Sequence, residues 1–541
     1  MTTRIFDPIL SNSESADFEA AYFAHSGRTP RGVIDAIGAK IAEEFVGEFG
    51  RFLRADSDVL AVVGSGNNAA DAMAFLAKLR EKADFGKLVL CVPSPEKLRE
   101  EPLFYFDKLA ARGDTQIVYD VEKVAQKKFA LAVEGLAGMS FKPPMRGGMR
   151  KKIEFLNSVE ADVKVAIDLP AGLSDDARQS PAIFKADATY ATAIAKNALF
   201  MRSAREFVGR VRYIDAGFFN GANAAKAGSA ASIAATDNQP PKAARFIVRQ
   251  NALVPLAKLR PSVSDKRSFG RLLIVSGSRK YAGAALLNAR AAIRAGCGFV
   301  FACVPEEFKP AFCAAEPSVI WLGCETDESG ALALENFGEI NAIARGADAL
   351  LCGSGLTTSR ESAALVGELL KANPALPAVL DADAISKNLL QSEAVKNRGG
   401  ALAITPHEGE FLRIAPDASD ESLLNAAKEY GGAVMLKSNI TRVGDGGKIV
   451  YSTRGSPALA RAGSGDILCA VAAALLANKT LLENVESFGG EAKNSRAVAA
   501  CAIAAQWLGL AAERTAERSG ETPLASSDII GVLPEIPAII K

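Results

Sequence analysis

Short runs of apolar, β-prone residues alternate with helical segments along most of this 541-residue chain. The runs are Val59–Val63, Lys87–Val92, Gln116–Tyr119, Leu131–Glu134 and Val163–Leu169, then Leu272–Ser276, Phe299–Val304, Ala349–Cys352, Ala378–Leu380, Leu402–Thr405 and Ala433–Leu436. Apolar strands separated by helices are typical of parallel sheets that are covered by helices on both faces. The pattern therefore predicts an α/β fold, in which ligands gather at the carboxyl ends of the strands.

The chain is too long for one ordinary domain. Between Gly221 and Ala244 it is rich in alanine, glycine and serine, contains Asp237-Asn-Gln-Pro-Pro241, and lacks a strong apolar period. We therefore predict a first domain over residues 1–220, a linker over 221–249 and a second domain over 250–541. Each domain is expected to have three layers, α/β/α, with a mostly parallel sheet.

Composition argues against several classes of protein. A net charge of +1 gives no electrostatic argument for binding nucleic acid or an anionic membrane. The eight cysteines are scattered without a C-x-x-C motif, which favours reduced thiols in a cytosolic protein. The N-terminus lacks a signal pattern, and the longest apolar stretch, Ala497–Ala512, contains Gln506 and indicates a buried helix. We expect a cytoplasmic protein without a membrane span.

The turn Gly463-Ser-Gly-Asp466 leads directly into the apolar run Ile467–Leu476. A glycine turn that opens a helix presents unpaired backbone N–H groups and the positive end of the helix dipole, so it can bind an anion. An acid beside an anion is explained if Asp466 takes a proton from a hydroxyl group while the amides hold a phosphoryl group. Taken alone, the motif leaves an ordinary aspartate helix cap equally open.

Two motifs in the first half also follow predicted strands. Gly64-Ser-Gly-Asn-Asn-Ala-Ala-Asp71 lies between a strand and a helix, where it predicts either a phosphate or ribose cradle or an Asn-capped turn. Asp168 lies in Ala166-Ile-Asp-Leu-Pro-Ala-Gly172, at the end of a later strand. It is a candidate general acid or base, and the alternative is a structural cap of that turn.

Together these two motifs resemble the NAD(P)H-hydrate epimerase family, from about residue 10 to residue 218. The resemblance implies a Rossmann-like domain with Asp168 as the catalytic acid or base. It implies that hydrated nicotinamide nucleotide contacts Asn67, Asn68, Ala69, Ala70, Asp71, Gly138 and Asp168, and that potassium is held at Asn68, Glu134 and Ala171.

The chain departs from that family at several of these positions. The family loop N-N-G-G-D-G reads N-N-A-A-D-A here, and the segment after Gly138 differs from the usual G-T-G-L-S-R-P. The family's aspartate ligand aligns with Glu134, and its serine ligand aligns with Ala171, which has no side-chain oxygen. The first domain is therefore predicted to be an epimerase with an incomplete ion site, the alternative being a binding domain without turnover.

Most motifs of the second half also follow predicted strands and so share one rim of the sheet. They are Ser276–Ala284, Gly353-Ser-Gly355, Asp381-Ala-Asp383, Thr405-Pro-His-Glu-Gly-Glu410 and Lys437-Ser-Asn-Ile-Thr441. We expect His407 to contact a ligand rather than to be a surface histidine. Lys437 is either a phosphate or sugar contact or a solvated strand-end lysine. Asp381 and Asp383 could bind magnesium, but a structural role is the preferred interpretation.

This second set resembles the ADP-dependent NAD(P)H-hydrate dehydratase family, of ribokinase-like fold, over residues 250–535. The resemblance implies Asp466 as the catalytic base and magnesium bound with ADP. It implies nucleotide contacts at Lys437, Ser438, Asn439, Ile440, Thr441 and Gly465, and substrate contacts at Ala284, Gly355, His407 and Asp466. Where that family has G-P-G and K-G, this chain has Gly353-Ser-Gly355 and Lys437-Ser438.

The two patterns follow each other in the order that the bifunctional repair family uses. The resemblance thus implies dehydration of the S-hydrate of NADH or NADPH at the expense of ADP, and interconversion of the R- and S-hydrates by the first half. The expected partners are the hydrated cofactors and an adenine nucleotide, within a homo-oligomer, with neither nucleic acid nor membrane. The competing hypothesis is a ribokinase-like small-molecule kinase with a non-catalytic, nucleotide-binding first domain.

Overall fold

The structure is a computed structural model that describes residues 4–139, 141, 144–145, 147–175, 180–220, 244–478, 481–482, 485, 492–522 and 524–540. The chain divides into two compact units, of which one is Asp7–Ala243 and the other comprises Met1–Phe6 and Ala244–Lys541. Most of the predicted linker, 221–243, lies outside the described residues. Residues 245–248 form a strand that pairs with Ile449–Tyr451, so the linker prediction extends too far at its C-terminal end.

The N-terminal unit is built on a sheet of parallel strands. Its strands are β1 (Phe6–Leu10), β2 (Val59–Val63), β3 (Leu88–Cys91), β4 (Thr115–Val118), β5 (Phe129–Gly135), β6 (Ala161–Ile167), β7 (Ala188–Thr192), β8 (Ala195–Lys196) and β9 (Arg210–Ile214). The main sheet has the order β4-β3-β2-β5-β6-β7-β9 with every pair parallel, and β8 pairs in parallel with β1. The strand order reverses between β2 and β5, and such a switch point opens a crevice for ligands.

Helices cover this sheet. They are α1 (Asn12–Ser26), α2 (Pro30–Phe49), α3 (Asn67–Lys82), α4 (Glu100–Ala110), α5 (Gly147–Ser158) and α6 (Arg205–Val208). Helix α2 begins after Thr29, whose side chain accepts the N–H of Gly32, and a proline occupies its first turn. A Cβ atom at Gly38 would overlap Ala74 of α3, so these two helices pack at close range.

The C-terminal unit contains a second, larger sheet. Its strands are β10 (Arg245–Val248), β11 (Arg271–Val275), β12 (Phe299–Pro305), β13 (Ile320–Cys324), β14 (Ala349–Cys352), β15 (Ala378–Leu380), β16 (Leu402–Ile404), β17 (Ala433–Leu436), β18 (Thr441–Gly444) and β19 (Ile449–Ser452). Their order is β13-β12-β11-β14-β15-β16-β17-β18-β19-β10, and only the pairs β17-β18 and β18-β19 are antiparallel. The predicted fold class, two α/β domains with mostly parallel sheets, is therefore confirmed.

One helix of the C-terminal unit is long and strongly apolar. The helices are α7 (Ala282–Arg294), α8 (Lys309–Ala315), α9 (Phe337–Ala344), α10 (Arg360–Ala372), α11 (Lys387–Leu390), α12 (Glu393–Lys396), α13 (Glu408–Phe411), α14 (Asp420–Tyr430), α15 (Ser464–Ala477), α16 (Ala492–Ser519), α17 (Ser526–Val532) and α18 (Glu535–Ile539). Helix α16 is long and apolar enough to cross a membrane, because its most apolar stretch has a mean hydropathy of 1.3. However, 89% of that stretch is buried inside the protein. Gln506 within it is buried and accepts a hydrogen bond from the Ser452 hydroxyl at 3.3 Å. The sequence-based prediction of a buried helix is confirmed.

Candidate active sites

In the C-terminal unit, the predicted polar motifs follow adjacent parallel strands. Gly353-Ser-Gly355 follows β14, Asp381 follows β15 and Thr405 follows β16. The pairing of β16 with β17 extends beyond both strands, because His407 bridges to Lys437 and the Lys437 N–H donates to the Pro406 carbonyl at 2.9 Å. These residues therefore share one rim of the sheet, at the carboxyl ends of its strands.

Asp466 lies in the first turn of α15, next to this rim. The helix is preceded by Gly463, the N-cap, in the left-handed conformation (φ +90°), and a Cβ at that position would press against Leu287. The Asp466 carbonyl accepts a hydrogen bond from Asn288 Nδ2 at 2.7 Å, which ties the helix start to α7. Because the N-cap is Gly463, the Asp466 carboxylate is not needed as the helix cap.

Asp381 is the centre of a buried polar network at the rim. Its Oδ1 accepts hydrogen bonds from Thr405 Oγ1 at 2.7 Å and from Lys437 Nζ at 2.9 Å, and the Lys437 ammonium also lies 3.9 Å from Glu410 Oε2. Burial by itself would favour a neutral amine, but the carboxylates of Asp381 and Glu410 outweigh it and raise the pKa of Lys437. Lys437 therefore stays positively charged beside Asp466.

The pKa of the Asp466 carboxyl is raised to about 6. Burial is the main cause, and the negative charge of Asp381 adds to it, whereas Lys437 and a hydrogen bond with Ser354 act in the opposite direction. A carboxylate with a pKa near neutrality is a better base than an ordinary aspartate and is still ionised at neutral pH. The site can therefore abstract a proton from a bound hydroxyl group.

His407 is held by its own helix. It is the N-cap of α13, where its Nδ1 accepts the backbone N–H of Glu410 at 3.2 Å and its Nε2 lies 3.3 Å from Glu410 Oε1. The side chain remains 56% exposed. His407 thus fixes the loop beside Lys437 and leaves part of its ring open to the rim. Asp383 accepts the Thr357 N–H at 2.8 Å, which agrees with the structural role expected for it.

The other predicted substrate residues of this unit approach each other closely. Gly355 is left-handed (φ +68°), and a Cβ there would lie 3.0 Å from that of Ala284 and 2.9 Å from that of Tyr281. Glycine at 355 thus lets the backbone pack closely against the start of α7. The sequence did not single out Tyr281 as a site residue, although it lies in the predicted Ser276–Ala284 segment.

The predicted nucleotide loop is a tight turn between β17 and β18. The Ser438 hydroxyl donates to the Ile440 carbonyl at 2.5 Å, and Thr441 Oγ1 lies 3.5 Å from the Ser438 carbonyl, while Asn439 is exposed. Ser438 is not among the described non-glycine residues with positive φ, so a side chain causes no strain where the family has glycine. A Cβ at Gly465 would lie 3.3 Å from Lys437 Nζ, which places the loop and the helix start side by side.

A cavity of about 370 Å³ lies at the strand switch point of the N-terminal unit. Five of the residues predicted to bind substrate line it: Asn67, Asn68, Asp71, Gly138 and Asp168. Charged residues that the sequence analysis did not select also line it: Glu19, Arg99 and Lys196. Lys196 was missed because it belongs to a two-residue strand whose sequence carries no apolar run.

Asp168 is held at the wall of this cavity in a strained backbone conformation, with φ +68°. Its Oδ1 pairs with the Lys196 ammonium and accepts from Thr192 Oγ1 at 3.3 Å, and its Oδ2 accepts the Met139 N–H at 3.1 Å. A Cβ at Gly138 would overlap this carboxylate, so glycine is required there. Three neighbours thus orient one buried carboxylate towards the cavity.

Unsatisfied polar groups face the same cavity. Both polar atoms of the Asn68 side chain and Oδ1 of Asp71 are buried without a hydrogen-bond partner in the described part of the chain. Burial raises the pKa of Asp71 well above its usual range, and the charges of Asp168 and Glu19 add to this effect. Buried polar atoms rarely stay unpaired in a functional state, so this wall is suited to a polar ligand.

Ala69 and Ala70 do not contact this cavity. Both are fully buried in the first turn of α3, pack into the hydrophobic core, and donate their N–H groups to the Gly66 carbonyl at 2.9 and 3.4 Å. Neither has a positive φ. The side chains of these two alanines therefore lie in the core rather than in the cavity wall, and their methyl groups do not obstruct the site.

The residues assigned to potassium do not form a cation site. Glu134 is fully buried, and its Oε1 and Oε2 accept the N–H groups of Leu136 at 2.6 Å and Ala171 at 2.9 Å. Burial raises the pKa of Glu134 to about 8, against the opposing effect of N–H groups that include that of Ala137. The positive ends of these N–H dipoles surround the carboxyl group in place of a cation, and Ala171 offers no side-chain oxygen. The predicted ligand set of Asn68, Glu134 and Ala171 therefore does not fit potassium.

Comparison with known proteins covers both units. The family model described as NAD(P)H-hydrate dehydratase matches residues 272–534, and the one described as YjeF-related protein N-terminus matches residues 31–198. A bifunctional NAD(P)H-hydrate repair enzyme, Nnr, of Gloeobacter violaceus is 31% identical over 487 residues, which is 87% of this chain and 89% of the relative. An ADP-dependent (S)-NAD(P)H-hydrate dehydratase of Cenarchaeum symbiosum is 31% identical over 50% of this chain and 90% of its own length. A solved ribokinase-like superfamily protein from Enterococcus faecalis is 20% identical, covers 56% of this chain and 98% of its own, and has a TM-score of 0.45.

Proposed function

Because this chain belongs to the family of bifunctional NAD(P)H-hydrate repair enzymes, we propose that it converts hydrated NADH and NADPH back to the reduced cofactors. The C-terminal unit dehydrates the S-hydrate at the expense of ADP, and the N-terminal unit interconverts the R- and S-hydrates. The observation that carries the proposal is Asp466, a partly buried base with a pKa of about 6 at a helix start beside a buried cation.

In the dehydratase reaction Asp466 takes the proton of the ring hydroxyl as that oxygen attacks the terminal phosphorus of ADP. This step forms the phosphorylated hydrate and AMP. The lone pair of the ring nitrogen then expels phosphate, and loss of a proton from the adjacent ring carbon restores the double bond of the reduced nicotinamide. Lys437 lies beside the start of α15, and we propose that it and the N–H groups there hold the negative charge of the phosphoryl group during transfer.

We expect magnesium to be bound through the nucleotide phosphates rather than by a set of protein ligands. No cluster of three or more histidine, cysteine or acidic residues suited to a metal occurs among the described residues. The carboxylates of Asp381 and Glu410 are already engaged by Lys437, Thr405 and His407. Magnesium bound by nucleotide phosphates and water fits such a site, where it would offset the negative charge of the phosphates.

ADP-dependent dehydration should lose activity on the acid side with a midpoint near pH 6, because Asp466, whose pKa is about 6, must be unprotonated to act. The rate should be constant above about pH 7 and should fall roughly tenfold per pH unit below about pH 5. The measurement is the initial rate of appearance of reduced nicotinamide from pure S-hydrate, with AMP and phosphate quantified and the rate without enzyme subtracted. A stable phosphorylated product instead of the reduced cofactor would favour the kinase hypothesis, which the bifunctional relatives do not favour.

In the epimerase reaction Asp168 is the proposed acid or base at the carbon that carries the hydroxyl group. Its carboxylate is oriented by Lys196, Thr192 and the Met139 N–H, and Lys196 neutralises its charge inside the cavity. The unpaired side chains of Asn68 and Asp71 are proposed to bind the polar groups of the hydrate. This arrangement supports an active epimerase rather than a domain without turnover.

Epimerase activity should not depend on potassium. Because Glu134 is satisfied by backbone N–H groups, replacing K⁺ by Na⁺ at constant ionic strength should change the R-to-S rate by less than about twofold. The assay supplies pure R-hydrate with excess dehydratase and subtracts the spontaneous rate. The thermal midpoint in KCl and NaCl is the independent readout, and a K⁺-specific increase in rate or in thermal midpoint would contradict the structural argument. No acceleration in either salt would show that the N-terminal unit has no epimerase activity.

A further inference from the structure

One buried side chain near the carboxyl end of β5 contacts two loops of the N-terminal unit. Glu134 Oε1 accepts the Leu136 N–H at 2.6 Å, and Glu134 Oε2 accepts the Ala171 N–H at 2.9 Å. Leu136 follows β5, whereas Ala171 lies in the turn after β6, 37 positions along the chain from Glu134. Because Glu134 is fully buried, water does not compete for these two bonds. The carboxyl group therefore ties the two loops to each other.

The same two loops hold the proposed acid or base of the epimerase reaction. Asp168 opens the turn that contains Ala171, and its backbone is left-handed at φ +68°. Met139, in the loop that begins at Leu136, donates its N–H to Asp168 Oδ2 at 3.1 Å. A strained backbone persists only where its surroundings hold it. The two bonds of Glu134 hold both the turn that carries Asp168 and the loop that contacts it.

We propose that Glu134 is a positioning residue for epimerisation, whose carboxyl group clamps these two loops and thereby fixes the Asp168 carboxylate at the cavity. The inference rests on the proposed epimerase activity and extends it to a side chain that is not part of the cavity wall. It also gives a function to a residue that the family resemblance assigned to potassium. In this chain the side chain connects the loops through its own hydrogen bonds.

The length and the two oxygens of Glu134 both matter for this contact. Each oxygen has a lone pair that accepts an N–H whether the carboxyl group is ionised or protonated, so the clamp does not depend on its charge. Aspartate is shorter by one C–C bond, about 1.5 Å, and should not reach both N–H groups at hydrogen-bond distance. Glutamine has the right length, but its NH₂ group would face one of the two N–H donors. Both replacements should therefore open the clamp.

Glu134→Gln should lower kcat for R-to-S conversion about tenfold or more, because the Asp168 carboxylate loses its fixed position. KM for the hydrate should stay within about threefold, since the side chains proposed to bind its polar groups, Asn68 and Asp71, belong to α3. The measurement is the initial rate from pure R-hydrate with excess dehydratase, after subtraction of the spontaneous rate. Dehydration of pure S-hydrate by the same variant should be unchanged.

Glu48→Gln is the matched control. Glu48 is 12% exposed and pairs with Arg210 and Arg212, each at 2.7 Å, at the opposite end of α2 from the residues that line the cavity. Replacing this carboxylate weakens two ion pairs with little exposure to water, so the thermal midpoint should fall. The R-to-S kcat should nevertheless stay within about twofold of wild type, so that loss of stability alone does not imitate loss of the clamp.

Hydrogen–deuterium exchange measured by mass spectrometry tests the clamp without turnover. Peptides that cover residues 136–139 and 169–173 should exchange about tenfold faster in Glu134→Gln than in wild type, whereas peptides from α3 should not change. If Glu134→Gln does not fold, the milder Glu134→Asp decides the result. Wild-type kcat, or unchanged exchange in both loops, in a folded Glu134 variant would overturn the positioning role. Absence of epimerase activity in wild type would overturn the proposed function together with this inference, whereas failure of the clamp alone is seen only in the variants.

Discussion

Asp466→Asn should reduce kcat for ADP-dependent dehydration about a thousandfold, which is the effect expected when a general base is removed. The amide is nearly isosteric with the carboxylate but cannot accept the hydroxyl proton at any pH. Affinity for ADP should stay within about threefold, because we propose that backbone N–H groups and Lys437, rather than Asp466, hold the phosphoryl group. The measurement is kcat from S-hydrate together with calorimetric titration of ADP.

The same substitution should stabilise the protein at neutral and alkaline pH. The pKa of Asp466 is raised on folding, so its favourable contribution is complete below about pH 4 and is lost as the pH rises through about 6. Above that pH the folded protein carries a charge that burial disfavours, and the neutral amide of the variant removes this charge. After allowance for solvent screening we expect a gain of about 1–2 kcal/mol in the free energy of unfolding at pH 8 and none at pH 4.

The control for this pair of effects is Glu421→Gln, which neutralises an exposed acid in the first turn of α14. It should leave kcat unchanged and produce no pH-dependent gain in stability. Wild-type turnover in Asp466→Asn would exclude Asp466 as the base. Loss of ADP binding together with turnover would instead assign it to nucleotide binding.

Asp168→Asn should reduce the R-to-S rate about a hundredfold or more, towards the spontaneous rate, because the proposed acid or base at the epimerised carbon is lost. Asparagine is the informative replacement, since it tolerates the left-handed backbone that Asp168 adopts at φ +68°. An alanine there would add backbone strain and confuse the result. Dehydration of pure S-hydrate by the same variant should remain within about twofold of wild type and serves as the internal control.

Gly138→Ala tests the same carboxylate without changing it. A Cβ at 138 would overlap Asp168, so the acid must move and the rate should fall about tenfold or more. Gly113→Ala is the matched control in this unit, because nothing lies within 4 Å of a Cβ at that position. An unchanged rate in Gly138→Ala would mean that the position of Asp168 is not critical for catalysis.

Local sequence was sufficient for most strands of the two sheets. The runs Val59–Val63, Ala349–Cys352 and Ala433–Leu436 were predicted at their observed bounds, since each is wholly apolar and buried on both faces. Several other strands were not predicted. Ala188–Thr192 contains threonines and Thr441–Gly444 belongs to an antiparallel pair, where only one face needs to be apolar.

The alanines at 69 and 70 show what motif reasoning does not resolve. Their alignment with the family suggested that they approach the substrate closely. A sequence alignment, however, does not tell on which face of a helix a side chain lies. In the structure, the helix rotation that exposes Asn68 and Asp71 to the cavity turns both alanines into the core.

The amino-acid sequence by itself determined the two α/β units, the strand-end motifs and Asp466 as the residue most suited to act as a base, because these depend on periodicity and short-range spacing. Only the tertiary structure decided how that base is tuned. Its neighbours Ser354, Asp381 and Lys437 lie on separate loops, and Lys437 is 56 positions from the Asp381 carboxylate with which it pairs. Electrostatic interaction and burial depend on distance in space rather than along the chain, so the pKa of a catalytic group emerges only when the sheet brings those loops together.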